Sequence, residues 1–321
     1  MKIKYWWLNT LLISLISLSL AQCQSKKYYN PIDYTVELDS TKFSSPSPQG
    51  KLKSDKLDEL SGLAASRYYP NMFWTHNDSG GKDRLYLINH KAKLQGEMEL
   101  KGAKNRDWED ICIAYDSSSN TSYIYLAEMG DNKASYPDRF IYRIAEPRLE
   151  LGRKEFDIKS QVLEKIAFEY PDGVRDAETL MYDSQGKDLY IVSKREDSVR
   201  VYQMPNPYST KEVNTLIHIA TLGFHNANGG DISPDGNEIL IRNYANIYYW
   251  KRQAGESIAQ TLQSVPVRLP YKEEPQGESV AWKTDQSGYY TISEAPDKVE
   301  VQMLFYKREG KKKAEGAYLK N

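Results

Sequence analysis

The segment NRDWEDICIAY, residues 105–115, places three carboxylates, Asp107, Glu109 and Asp110, directly in front of an apolar run. Such groups can ligate hard cations, transfer protons, or accept hydrogen bonds from backbone N–H groups. The pattern recurs. Aligned on Glu109, the segments ELSGLAAS (59–66), DAETLMYD (176–183), NGGDISPDG (228–236) and QGESVAW (276–282) bring Ser61, Glu178, Gly230 and Glu278 into one column. Two positions earlier stand Glu59, Asp107, Asp176, Asn228 and Gln276. The column positions are 48, 69, 52 and 48 residues apart. Repeats of about 40–50 residues mark solenoids and propellers.

The elements between the acids decide which. Four of the five column segments are followed by a turn rich in Asp, Ser and Gly, such as Asp183–Gly186 or Asp285–Gly288, and all five by a short apolar run. Those second runs are MFWTHN (72–77), YIYLAE (123–128), LYIVSK (189–194), EILIRN (238–243) and YYTISE (289–294). A third run follows in every unit, for example RLYLIN (84–89) and NIYYWK (246–251). A more polar fourth is visible in four units, as in EKIAFEY (164–170) and VPVRLP (265–270). Runs this short, rich in Val, Ile, Leu and Tyr and separated by hairpin turns, read as antiparallel strands. Four per unit make a propeller blade. The expected fold is therefore an all-β propeller of five four-stranded blades, with six as the alternative. The surplus in the 69-residue interval reads as an insertion around residues 145–163. The fifth unit lacks a fourth strand of its own, and YTVELD (34–39) is expected to supply it and close the ring.

In a propeller the first strand of each blade lines the central channel, and its start faces the same side as the end of the second strand. This brings Asp107, Glu109, Asp176, Glu178 and Glu278 to one mouth. His76, Asn77, Asp78, Glu128, Asp131, Asn132, Lys194, Arg242, Asn243 and Glu294 are expected beside them. Two carboxylates ~6 Å apart repel by roughly 3 kcal/mol at an effective dielectric of ~20. A ring of them needs compensation. Lys194 and Arg242 can offset two charges, and a calcium ion, which accepts carboxylate, carbonyl and amide oxygens together, can offset more. The metal set is Asp107, Glu109, Glu128, Asp176, Glu178, Glu278 and Glu294; the remainder form a binding set. Zinc fits poorly, because of the four histidines only His76 lies in a motif. The competing reading is structural: acids at the start of an inner strand can bond the backbone of the next blade. Trp74, Trp108, Trp250 and Trp282 read as packing between blades. HNDSGG (76–81) reads equally as a turn or as part of the site.

The 321 residues carry 43 Lys+Arg against 44 Asp+Glu, so no global basic field exists to recruit nucleic acid. Residues 1–22 have the layout of an export leader, with Lys2 and Lys4 before the apolar run 11–20. Two exits stay open. Ser19-Leu20-Ala21 suits release of a soluble protein, and Leu20-Ala21-Gln22-Cys23 resembles a lipobox that would leave Cys23 lipidated. Residues 23–56 read as a polar tether that includes the closing strand, 57–308 as the propeller and 309–321 as a polar tail. Cys112 then has no disulfide partner and reads as a small buried hydrophobe. Export to a bacterial cell envelope, a membrane contact through the lipid alone, and a monomer are expected.

The combination ELSGLA, FWTHNDSGG, DWEDICIA, EMGDN, DAETLMYD, GGDISPDG, QGESVAW and TISE, over about residues 57–306, resembles a group of secreted bacterial propellers. These in turn resemble the SdiA-regulated family and, more distantly, the phytase-like propellers. The resemblance implies an acidic top site, often with calcium. It does not transfer an activity, since the full phytase ligand set finds no match here. Three classes of function remain. One is a module that binds a small polar ligand, a glycan or a protein loop at the mouth. The second is a metal-dependent hydrolase, a phosphoesterase, with Glu109 or Glu178 as base and Lys194 and Arg242 stabilising charge. The third is a structural scaffold. The missing catalytic signature favours the binding module.

Overall fold

The computed structural model describes residues 32–33, 36–149 and 156–310. They form a five-bladed β-propeller. Blade 1 runs outward through Leu60–Ala65, Met72–Asn77, Arg84–Asn89 and Leu94–Lys101. Blade 2 uses Trp108–Asp116, Thr121–Glu128, Arg139–Ala145 and Glu164–Glu169. Blade 3 uses Ala177–Tyr182, Leu189–Ser193, Arg200–Met204 and Ile217–Gly223. Blade 4 uses Gly229–Ile232, Glu238–Arg242, Ile247–Lys251 and Val267–Leu269. Blade 5 has Gly277–Trp282, Gly288–Ser293 and Gln302–Lys307 from the C-terminal end, and Ser47–Lys51 from the N-terminal end. The inner strands contact one another in a closed ring.

An N-terminal strand closes the ring as expected, but it is Ser47–Lys51, antiparallel to Gln302–Lys307, and not 34–39. The closing strand carries Pro48 and a bulge between Pro48 and Gly50, both tolerated at a sheet edge, where one side of the backbone is unpaired. Residues 34–35 lie outside the described residues, and Leu38 bridges Arg268 beside blade 4. The span 23–56, read as a tether that includes the closing strand, does hold that strand, at Ser47–Lys51. Ile32–Asp33 pairs in parallel with blade 3, Phe43 is buried against Tyr249, Trp282 and Tyr289, and the chain then enters blade 5. Cys23 and the leader lie outside the described residues. The insertion in blade 2 crosses to its neighbour: Phe156–Gln161 lies parallel to Leu94–Lys101 as a fifth strand of blade 1. Asn214–Thr215 extends blade 2 in the same way.

Apolar clusters fill the interfaces between neighbouring blades. Trp74 and Trp108 lie in one, Trp250 in a second and Trp282 in a third, all fully buried, so these rings are packing elements. Cys112 is buried and unbridged.

Candidate functional site

The column residues owe their direction to β-bulges. In blade 2 the pairing runs Trp108 with Glu128 and then Asp110 with Ala127, so Glu109 is the extra residue. Glu178 and Glu278 occupy the same place in blades 3 and 5. A bulge re-aims the side chain it carries, and here all three glutamates turn toward the channel mouth. Blade 4 pairs regularly and has Gly230 instead. A Cβ there would sit 2.8 Å from Thr179 Cγ2 and 2.9 Å from Leu240 O, so the neighbouring strand excludes any side chain.

Glutamate 109 is followed by an acid with the opposite task. Asp110 accepts the N–H of Leu180 at 2.8 Å, tying blade 2 to blade 3. Asp231, at the matching position of blade 4, accepts the N–H of Trp282 at 2.8 Å. Blade 1 is tied to blade 2 by Ser61 Oγ, which donates to Glu109 O at 2.8 Å. The structural role considered for the acids thus belongs to Asp110 and Asp231, one position beyond the column.

The ends of the second strands add the rest. The N–H groups of Asp78, Gly130, Lys194 and Glu294 donate to the carbonyls of Glu59, Asp107, Asp176 and Gln276, so these four positions are equivalent. Asp78, Lys194 and Glu294 point into the site. In blade 2 the equivalent residue is Gly130, where an added Cβ would lie 1.8 Å from Glu109 Oε1 and 2.6 Å from Asp107 Cγ. The missing side chain is the space those carboxylates occupy.

Three groups of carboxylates result, each with oxygens within 4.8 Å of one another: Asp78, Asp107 and Glu109; Asp78, Glu278 and Glu294; Glu109, Asp176 and Glu178. Asp78 and Glu109 are each shared, so the groups form one continuous chain. All members but Asp78 are buried. Lys194 Nζ bonds Glu178 and lies 3.6 Å from Glu278. Arg195, half exposed, caps Asp176 at 2.6 Å, and Tyr244 donates to Glu278 at 2.7 Å.

Electrostatics follow from that imbalance. Burial, then Glu278, pushes Asp78 up to about 7. Burial raises Glu178 to about 8 against the pull of Lys194. Burial and Glu278 raise Glu294 to about 10. Glu109 is raised well above the carboxylate range by burial, Glu178 and Asp78, and Asp107 is raised by burial and Asp176. Burial pulls Lys194 down, but Glu178 and Glu278 more than reverse it and hold the ammonium charged.

The donor set fits a hard cation. It is all oxygen, it converges, and Glu294 Oε1 is buried with no hydrogen-bond partner. Beside it lies a groove of about 440 Å³ lined by Ser79, Arg106, Asp107, Asn132, Lys133 and Tyr136, with Arg106 stacked 4.0 Å over the Tyr136 ring.

Of the other expected site residues, Asp131 and Asn132 line the groove with their side chains held by neighbouring groups, and the rest are occupied elsewhere. Arg242 is fully buried between blades 4 and 5, donating to Glu274 at 3.1 Å and Tyr271 at 2.6 Å, and Gly277 leaves room for it. Glu128 pairs with Arg106 and caps the N–H of Asp107, two residues short of the equivalent position. Asp131 pairs with Arg139 and accepts the N–H groups of Ser135 and Tyr136. Asn132 bonds Arg195 at the groove edge. Asn243 closes its own turn through Ala245 and Asn246. Asn77 donates to Lys56 O. His76 is fully buried with Nδ1 on Asn77 O, and burial pulls it down to about 4, so it is neutral; its Nε2 faces Gly62. Arg195 and Tyr244 were not foreseen, and their signal is adjacency to Lys194 and Asn243.

No family model and no curated protein matches the chain.

Proposed function

We propose that the protein is a binding module whose channel mouth takes up divalent cations, calcium foremost, and uses them with the adjoining groove to hold a small polar ligand, a glycan or a loop of another protein. One observation carries the reading. Seven convergent carboxylates share one buried ammonium, and one of their oxygens has no partner. Calcium takes about 6–8 oxygens in flexible geometry, which suits carboxylates contributed by four separate blades. Asp78 and Glu109, each common to two groups, would bridge neighbouring ions. A bound cation supplies positive charge that attracts an anionic or hydroxyl-rich ligand. Lys133 is placed to bond such a ligand in the groove and Ser79 to orient it, while Arg106 is held by Glu128 and Asp138 as a fixed positive wall. The leader, Cys23 and the motif resemblance to secreted propellers support a setting in the cell envelope, tethered or released.

The test is calcium calorimetry on chelator-stripped protein beside a Glu109→Gln, Glu178→Gln variant. Micromolar-to-millimolar binding by the wild type, abolished in a variant that keeps its fold, is the expected result. A wild type that takes up no calcium ends the proposal.

A further inference from the structure

We infer a second binding site, separate from the acidic mouth, on the flank where blade 5 meets blade 1, and assign it to an anionic polysaccharide. A groove of about 760 Å³ is lined there by Lys51, Lys53, Lys56, Lys91 and Lys93, with Asp55 as the single acid among its lining residues. All five lysines are exposed. They come from distant places: the closing strand, its crossing into blade 1, and the turn between the third and fourth strands of blade 1.

The backbone is built to bring them together. A Cβ at Gly50 would lie 2.3 Å from Lys91 O, so only glycine lets the closing strand press against that turn. Lys56 is paired with Glu97 and Lys51 with Glu300. Lys53, Lys91 and Lys93 form no ion pair among the described residues, although the chain as a whole carries no basic excess. Beside the groove, burial first and then the Lys91 charge lower His90.

The shape and lining choose the ligand class. A concave groove suits a chain better than a membrane plane. Lysines are point charges without the planar fork of arginine. No aromatic ring lines the groove, so it offers no platform for stacking bases. Gln49 and Ser54 add polar groups suited to sugar hydroxyls.

Binding of fluorescent heparin fragments and oligogalacturonate, followed by anisotropy in chelator, tests this apart from the cation site. The two probes separate sulfate from carboxylate as the preferred charge. At least one should bind, weakening steeply from about 0.05 to 0.2 M salt as counterions compete. A Lys53→Glu, Lys91→Glu, Lys93→Glu variant should bind about tenfold more weakly or worse, and the corresponding Lys→Arg variant should bind like the wild type. Three results overturn the assignment: neither probe binds, the charge-reversed variant binds unchanged, or single-stranded DNA or phosphatidylglycerol vesicles bind as tightly as the sugars.

Discussion

Lys194→Met removes the one buried ammonium from the acidic cluster. At 3.6 Å from Glu278 and an effective dielectric of about 20, Lys194 contributes an attraction of about 4–5 kcal/mol, with Glu178 closer still. Desolvation of the ammonium offsets part of this, and breaking a buried pair from one side costs about 3–5 kcal/mol. In a domain of this size each kcal/mol moves the melting temperature by about 2–4 °C, so a drop of about 6–20 °C is expected in chelator. Proton uptake sets a ceiling on the loss. Glu178 already sits at about 8, and without Lys194 it rises further, so at low pH the variant neutralises itself. The gap between wild type and variant should therefore be small near pH 5 and widest near pH 9. Calcium should close it by supplying the missing charge, giving the variant the larger calcium-induced shift. The assay is a set of thermal melts at three pH values, with chelator or with calcium. Melting within a degree of wild type at pH 9 in chelator would refute the claim that Lys194 neutralises the cluster. A deficit that calcium leaves untouched would refute the claim that a cation takes over the task.

The folded-state pKa values of Asp78, Glu178 and Glu294 lie above their unfolded values, so the folded protein binds more protons than the unfolded one. Metal-free stability is therefore full below about pH 4 for these groups and declines as pH rises through about 7, 8 and 10; calcium binding should release protons, which titration in buffers of different ionisation enthalpy measures. Gly130→Ala should displace Glu109 and Asp107, lowering calcium affinity at least about tenfold while overpacking costs about 1–3 kcal/mol, read by calorimetry and denaturant melts. Asp110→Ala should strand the Leu180 N–H and cost about 1–3 kcal/mol with calcium affinity unchanged; a loss of calcium binding instead would mean that the staple and the site are not separable.

The blades were legible because the apolar runs and Asp/Ser/Gly turns repeat at near-constant spacing, and hairpin registers leave little freedom once five are strung together. The closing strand was not. SPQGK is polar, contains proline and lies at an edge, so it carries none of the apolar alternation that marks an inner strand. The route of 156–161 onto blade 1 was hidden for a related reason: a parallel partner distant in sequence leaves no hairpin turn to read.

The site was legible in type and less so in phase. Counting to the end of each apolar run selects Glu128, Lys194, Arg242 with Asn243, and Glu294 as equivalents, but backbone hydrogen bonds make Gly130 the true counterpart of Lys194. A glycine looks like an absence in a search for ligands, yet it is the residue that lets Glu109 turn inward. Arg242 fails for the opposite reason. Blade 4 has no bulge and no column acid, so nothing at the mouth draws the guanidinium, and Glu274 holds it between the blades. The bulge also resolves the three acids of DWED. Asp107 and Glu109 face the mouth, while the residue after the bulge, Asp110, returns to the neighbouring backbone. One extra residue in a strand thus aims adjacent carboxylates at the mouth and at the neighbouring blade, so on the proposed cation reading Glu109→Gln should lower calcium affinity while Asp110→Ala should lower stability.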